Sequence, residues 1–333
     1  SRITMGRQSC QGTGLDILRS GRRSFCTGDP LGYVALRVPP KFLTPQQINA
    51  YDKDGFIENA GRCMSVEEAN GAISNFKAAQ QHFLAVRPSM PHLRLAWVHQ
   101  LCTNSKILDA VQDIIGPNIL TYEAVFWPKE SGSGCFVGWH QDAHYWGLEP
   151  DHIVTAWIAL TGVPEESGPL EFIRGSHLKA LPHVDTYAED NLLSRGQEIA
   201  WEQPPVSSRA KVVLSAGEFT LFHVRVAHCS GLNVSGHSRV GLAVRYLPPS
   251  CKPIRGVGRA LLVRGEDRHG NFQLLAPPRH TFSDEDQVVA DSVQDYIASS
   301  TMVGADMERV RESRRRLGMR NTPGHLKTAS QKD

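Results

Sequence analysis

The residues best suited to chemistry lie in the run Gly138-Trp139-His140-Gln141-Asp142-Ala143-His144-Tyr145-Trp146. It holds a His-x-Asp pair inside an apolar and aromatic stretch. If that stretch is a strand, side chains two apart share a face, so the His140 imidazole and the Asp142 carboxylate converge on one point. One nitrogen and one oxygen donor on the same side are two members of the facial triad that holds non-haem Fe(II) and leaves positions open for oxygen chemistry. The pair alone equally describes a strand-end histidine beside a solvated aspartate. It gains meaning only with a third, distant ligand.

That ligand should be a histidine on a late strand. The best candidate is His228, in Phe222-His223-Val224-Arg225-Val226-Ala227-His228-Cys229-Ser230, after a Gly217-Glu218-Phe219 turn into an apolar strand. Its rival, His223, sits next to Phe222 within the strand, where core packing is the simpler role. Arg239 follows and opens the strand Val240 to Tyr246. A guanidinium near such a centre can pair bidentately with a carboxylate. 2-Oxoglutarate has a distal carboxylate to offer, and the Ser230 hydroxyl can share that duty.

The elements that must position these residues are β-rich. From Ile119 to Trp127 the chain favours strand. The His140 run, Ile153–Leu160, Leu170–Ile173, Lys211–Leu214, Phe219–Val224 and Arg239–Tyr246 follow, punctuated by Gly, Pro and Ser. Short strands so spaced predict a barrel or sandwich. Residues 175–210 interrupt them as a long polar insert, the kind of loop that serves as a lid. Ahead of the β core (119–250), residues 39–118 are mainly helical. Thr44-Pro45-Gln46-Gln47 and Ser65-Val66-Glu67-Glu68 are capping boxes, the second opening a helix to about Phe83, and Asn104-Ser105 starts a third helix. Phe56-Ile57 is a short strand. A helical region returns at 280–320, with an amphipathic stretch from Phe282 to Ser299 and a basic helix end from Arg309 to Arg316. Residues 321–333 read as a frayed tail.

Composition sets limits. The 36 Lys and Arg nearly balance 34 Asp and Glu, for a net charge of +2, which gives no footprint for nucleic acid. No apolar run approaches a membrane span of about 20 residues. The seven cysteines are scattered, odd in number and lack a C-x-x-C, which argues against a disulfide framework and for a reducing compartment. Residues 1–38 are Arg- and Ser-rich and acid-poor, the composition of an organelle transit peptide or of a disordered arm. A soluble intracellular protein is expected, cytoplasmic or in an organelle matrix, as a monomer or weak homo-oligomer.

Taken together, His140-Gln141-Asp142, Ala156-Trp157, Gly175-Ser176-His177, His228-x-Ser230 and Arg239 resemble the phytanoyl-CoA dioxygenase family over about residues 43 to 275. The resemblance implies a mainly β fold with flanking helices (α+β), built on a double-stranded β-helix (jelly-roll, cupin-like) core, as a single domain over 39–320. It implies His140, Asp142 and His228 as iron ligands, with 2-oxoglutarate and O2 as co-substrates. It implies Arg239 and Ser230 on the distal carboxylate, Trp157 bordering the co-substrate and Gln141 beside it. Two departures stand out: Arg174 replaces the usual Pro before Gly-Ser-His, and Ser167-Gly168 replaces an Asn-Gly turn. Related halogenases have Ala or Gly where Asp142 stands, so the resemblance favours hydroxylation of an unactivated C–H bond of a small molecule, or cyclisation or desaturation by the same chemistry. A jelly-roll that binds without catalysis is the competing class.

The remaining histidines and aromatics have simpler readings beside the functional ones. His144 is a ligand, substrate contact or neighbour of the iron. Tyr145 and Trp146 form a substrate wall or core, as do Tyr122 and Phe126, which four-residue spacing places on one strand face. His152, His183 and His237 are expected in solvated loops, and His177 in a structural turn.

Overall fold

A computed structural model describes residues 39–80, 89–201 and 206–321, with side chains to residue 316. The expected arm at 1–38 and tail at 322–333 lie outside these residues. Thr44 opens α1 (Pro45–Asp54): its hydroxyl accepts from the Gln47 amide N–H while the Gln47 side chain accepts from the Thr44 N–H, closing the capping box. Gly55, at φ 88°, ends the helix. The next helices are α2 (Val66–Gln80), α3 (Ala96–Cys102) and α4 (Ser105–Ile115), the last capped by Asn104. A single turn, α5 (Ala143–Trp146), lies inside the β region; α6 (Asp284–Thr301) and α7 (Met307–Asn321) follow it.

The strands begin with β1 (Phe56–Arg62), β2 (Ile119–Lys129), β3 (Val137–His140), β4 (Leu148–Glu149) and β5 (Val154–Ala159). Then come β6 (Leu170–Ile173), β7 (His183–Asp185), β8 (Gln197–Ile199), β9 (Arg209–Val212), β10 (Glu218–His223) and β11 (His228–Ser230). The last are β12 (Arg239–Leu247), β13 (Lys252–Pro253), β14 (Gly258–Arg264) and β15 (Phe272–Leu274). A seven-stranded sheet runs β1-β10-β5-β12-β2-β14-β15, and a four-stranded sheet runs β3-β11-β6-β9. Their inner faces meet in a core that includes Phe56, Trp157, Phe172, Val212 and Phe222. The outer face of the large sheet is covered by the N-terminal helices, with Phe76 and Leu108 packed against Phe126 and Leu242. This is the double-stranded β-helix expected from the chain.

Two expectations about the chain's course change. The 175–210 insert is not a structureless loop: β7 and β8 pair as a ribbon, and β9 begins within it. Short polar strands have too few apolar positions to show a period. Tyr122 and Phe126 do not share a face. The β2–β12 register slips between Arg245↔Glu123 and Tyr246↔Thr121, leaving Tyr122 as an unpaired bulge residue. The slip reverses the alternation, so Phe126 packs with Phe76 and Trp97 while Tyr122 packs with Trp146 and Phe272.

The described cysteines, Cys63, Cys102, Cys135, Cys229 and Cys251, are free and buried. Among the described residues no helix is long and apolar enough to cross a membrane.

Two buried histidines away from the His-x-Asp pair give the fold a pH limit. Burial above all pushes both His92 and His223 from 6.5 down to about 3. Their folded values lie below the unfolded one, so the unfolded chain takes up protons first. The stability they contribute is complete above pH 6.5 and drains as pH falls toward 3, at about 1.4 kcal/mol per pH unit for each. Urea denaturation should show lower stability at pH 5 than at pH 7, and His92→Phe should flatten that slope; an unchanged slope would remove His92 from the account.

Candidate active site

The site is assembled by strand pairing. In the ladder between β3 and β11, His140 stands directly opposite His228, with ring centroids 4.1 Å apart. Asp142 is not on the strand, contrary to the simple alternation argument. The chain leaves β3 after His140, and Asp142 adopts helical angles (φ −58°, ψ −39°) at the start of α5. That turn carries its carboxylate back toward the two histidines, and its Oδ1 lies 3.4 Å from His140 Nε2. One donor atom from each of His140, Asp142 and His228 lies within 4.8 Å of the other two, and all three residues are buried.

The protonation pattern suits a cation. His140 Nδ1 meets the Gly138 carbonyl at 2.9 Å, and His228 Nδ1 meets the Val226 carbonyl at 3.0 Å. A carbonyl accepts only, so each Nδ1 carries a proton and each Nε2 is the nitrogen turned toward the other donors. Burial first, and then His140, push His228 down to about 3, so its ring is neutral, as a metal requires. Burial would raise Asp142, but His140, Arg245 and His228 outweigh it and hold the carboxyl well below the usual carboxylate range. Its Oδ2 has no hydrogen-bond partner. Two imidazole nitrogens and a carboxylate facing one another fit a divalent ion, and this donor set suits Fe(II).

A cavity extends from the histidines, lined by residues including Trp127, Val137, Trp157, Leu170, Phe222 and Arg239. At its far end, buried Arg239 donates through Nη2 to Ser230 Oγ at 2.9 Å and to the Gly168 carbonyl at 3.0 Å. Its Nε has no partner, and its guanidinium lies 5.3 Å from the centre of the Trp157 ring. Two glycines make this end possible. Gly168 has φ 66°, and a Cβ there would come within 2.3 Å of the Gly231 carbonyl oxygen. At Gly241 a Cβ would fall 1.9 Å from Trp157 Cζ2, so the indole lies across a position only glycine fits.

Other expected site residues sit elsewhere. The Gln141 side chain turns away from the cavity. Its amide donates to the carbonyls of Ser176, Lys179 and Arg225 and accepts from the Leu181 N–H, fastening the start of the insert. Neither Tyr122 nor Phe126 lines the cavity; both are packed in apolar clusters. Trp146 packs on Tyr122 and on Arg245. His144 is exposed and stacks on His183 at 4.4 Å, and Tyr145 lies under the Arg195 guanidinium. His223 is buried against His177 and Tyr51, outside the donor cluster. His177 is buried in its turn, with Nε2 near the Asp52 carbonyl. Arg174 makes ion pairs with Asp54 and Glu58, which accounts for an arginine at that turn.

Four polar residues of the site region escape sequence reading. Arg245 stands 3.6 Å from both Asp142 and Glu123, behind the Asp142 carboxylate. Strand alternation from Arg239 along β12 carries the signal for it. Glu123 stands opposite Arg245 in the ladder, a pairing that only the fold reveals. Lys129 is 1% exposed and bound to Ser230, though a strand-end lysine ordinarily reads as solvated. His183 was expected in solvent; instead its Nε2 accepts from the Gln141 N–H at 2.9 Å, and burial pushes it down to about 4.

Comparison with known proteins agrees with this geometry. Residues 31–241 match the phytanoyl-CoA dioxygenase (PhyH) family. Among curated proteins, the chain is 30% identical over 176 residues to a probable alpha-ketoglutarate-dependent hypophosphite dioxygenase of Stutzerimonas stutzeri, covering 52% of this chain and 60% of that protein. It is 26% identical over 180 residues to the peroxisomal phytanoyl-CoA dioxygenase of Rattus norvegicus, covering 51% of this chain and 53% of the other. The matched region thus spans about half to three fifths of these relatives' length. Among solved structures, the non-heme monooxygenase ThoJ superposes with a TM-score of 0.63 at 28% identity, over 80% of this chain and 98% of that one. EctD from S. alaskensis, solved with 2-oxoglutarate and 5-hydroxyectoine, shares the fold, with a TM-score of 0.56 at 17% identity over 75% of this chain and 93% of that one.

Two substitutions test the site without a substrate. His228→Ala should weaken Mn(II) binding by more than about 100-fold in calorimetry, whereas His223→Gln should leave it within a few-fold; the reverse result would exchange the two histidines. Gly241→Ala should displace Trp157 and lower stability by about 1 to 3 kcal/mol in chemical denaturation. Wild-type stability in that variant would mean the indole has room to move.

Proposed function

The chain belongs to the phytanoyl-CoA dioxygenase family, and we propose that it is an Fe(II)- and 2-oxoglutarate-dependent oxygenase. It oxidises a C–H bond of a small-molecule substrate, by hydroxylation in its simplest form, with release of succinate and CO2. The observation that carries this reading is the pairing of two ends of one cavity. A buried N,N,O donor set stands at one end and a buried, anion-ready Arg239–Ser230 pair at the other.

His140, Asp142 and His228 would hold the metal through one face, leaving other positions open. When bound, Fe(II) supplies activation of O2 coupled to decarboxylation of the 2-oxo acid. The protein's own contribution is placement. Arg239 takes the distal carboxylate, and burial lowers its pKa only to about 10, so it stays charged at neutral pH. Ser230 adds a hydroxyl donor. Trp157, itself braced by Gly241, walls the cavity, and Val137, Leu170, Phe222 and Ala243 keep water from the reacting atoms. Arg245 braces the free oxygen of Asp142. Because a carboxylate occupies that ligand position, oxidation is favoured over halogenation. The turn after Asp142 presents His144 and Tyr145 beside His183 and Arg195, the surface we assign to substrate.

The test is succinate formation from Fe(II), 2-oxoglutarate and O2. Arg239→Met should raise the 2-oxoglutarate KM by about 10- to 100-fold, since a buried charge-assisted pair is worth roughly 1.5 to 3 kcal/mol. His140→Ala should abolish succinate release. Succinate release that survives His140→Ala, or a wild-type protein that binds neither metal nor 2-oxoglutarate, would overturn the assignment in favour of a non-catalytic jelly-roll.

A further inference from the structure

We propose that Lys129 is a positioning residue for the distal carboxylate of the 2-oxo acid and acts through Ser230. The inference rests on the oxygenase reading and assigns a role to a residue which that reading leaves unused. Lys129 ends β2 directly opposite Arg239 in the ladder, and the two are 1% and 3% exposed. The ammonium donates to Ser230 Oγ at 2.5 Å, to the Ser230 carbonyl at 3.1 Å and to the Gly231 carbonyl at 2.5 Å. Arg239 donates to the same Oγ. Every one of these acceptors is a neutral oxygen.

Two buried cations sharing one hydroxyl is a costly arrangement unless an anion completes it. Burial first, and then Arg239, push the Lys129 pKa well below the ordinary lysine value. The cage of three acceptors works against that push, because only an ammonium has three hydrogens to give. A carboxylate beside Ser230 relieves both the burial and the repulsion.

The hydroxyl bookkeeping shows what Lys129 does. A serine has two acceptor lone pairs and one O–H. Lys129 and Arg239 occupy both lone pairs of Ser230, so its remaining capacity is to donate. That proton goes to the Gly168 carbonyl at 2.8 Å, an oxygen Arg239 also uses. Ser230 is thereby fixed as a donor that can turn to an arriving carboxylate and cannot accept from a neutral ligand. Lys129 does not line the cavity, so its effect must pass through Ser230. It makes the far end selective for a dicarboxylate over a 2-oxo acid without a second carboxylate.

The experiment titrates 2-oxoglutarate and, separately, pyruvate into Mn(II)-loaded protein under anaerobic conditions, reading tryptophan fluorescence from the cavity residues Trp127 and Trp157. Lys129→Met should weaken 2-oxoglutarate binding by about tenfold, leaving pyruvate and Mn(II) affinities within about twofold of wild type. Because Lys129 works through Ser230, the double variant with Ser230→Ala should bind 2-oxoglutarate no more weakly than Ser230→Ala alone. If Lys129→Met does not fold, Lys129→Leu, which likewise removes every donor to Ser230, carries the same expectations. Unchanged 2-oxoglutarate affinity, equal loss for pyruvate, or additive losses in the double variant would each overturn the proposal. Failure of the wild type to bind 2-oxoglutarate would overturn the oxygenase reading itself.

Discussion

The pairing of β3 with β11 is the constraint on which the site depends. It sets His140 opposite His228, and a one-residue slip would send one imidazole to the other face of the sheet. The register is held from several sides. Cys229 and Ser230 pair in turn with Glu171 and Leu170 of β6, and β6 pairs with β9, so β11 is an interior strand with no freedom to slide. Phe172 and Phe222 close around His228 and keep its ring in one orientation. Only Asp142 escapes the ladder, and its turn is pinned by the Ala143 N–H donating to the Val224 carbonyl. A centre that must hold three ligands on one face is thus built mostly from backbone hydrogen bonds.

Charge is arranged along the cavity as deliberately as shape. At the histidine end the buried anion Asp142 is balanced by Arg245, which is itself shared with Glu123. At the other end Arg239 and Lys129 meet no comparable carboxylate in their hydrogen bonds. A divalent cation and a dianionic 2-oxo acid would offset both imbalances at once. The donor set and the anchor pair are therefore two halves of one electrostatic problem, joined by β11, which carries both His228 and Ser230.

Much of this was legible in the chain because the residues that carry it are rare types at functional positions. His140, Asp142, His228, Ser230 and Arg239 could be singled out by donor chemistry; the strand-rich middle predicted a barrel or sandwich, and the family resemblance narrowed it to the jelly-roll. What was hidden depends on register and burial. The bulge at Tyr122 is a single-residue event that no period announces, yet it takes Tyr122 off the face that Phe126 occupies. Lys129 carries an ordinary strand-end residue type, and only the fold shows that its ammonium is caged. Gln141 stands between two donors in sequence but on the opposite side in space, because the chain turns from strand to helix there. Asp142 was expected on the correct side by an argument from strand alternation; the turn delivers it there by a different route.

The surface proposed for substrate follows other rules. The donor cluster and the anchor end belong to the interior of the two sheets. The surface beside His144 belongs to the β7–β8 ribbon, which is held from outside the barrel. Arg195 pairs with Asp185 and donates to the carbonyls of Thr301, at the end of α6, and Val303 just past it, while the Asp306 N–H donates to the Tyr187 hydroxyl. The C-terminal helical region therefore sets where the ribbon sits, and the ribbon sets where Tyr145 and His183 lie. Changes in either can reshape the surface proposed for substrate without touching the ladder that fixes the donors. A fold divided this way keeps one chemistry while its substrate varies, which is why the residue types that reveal the reaction carry so little information about the molecule it acts on.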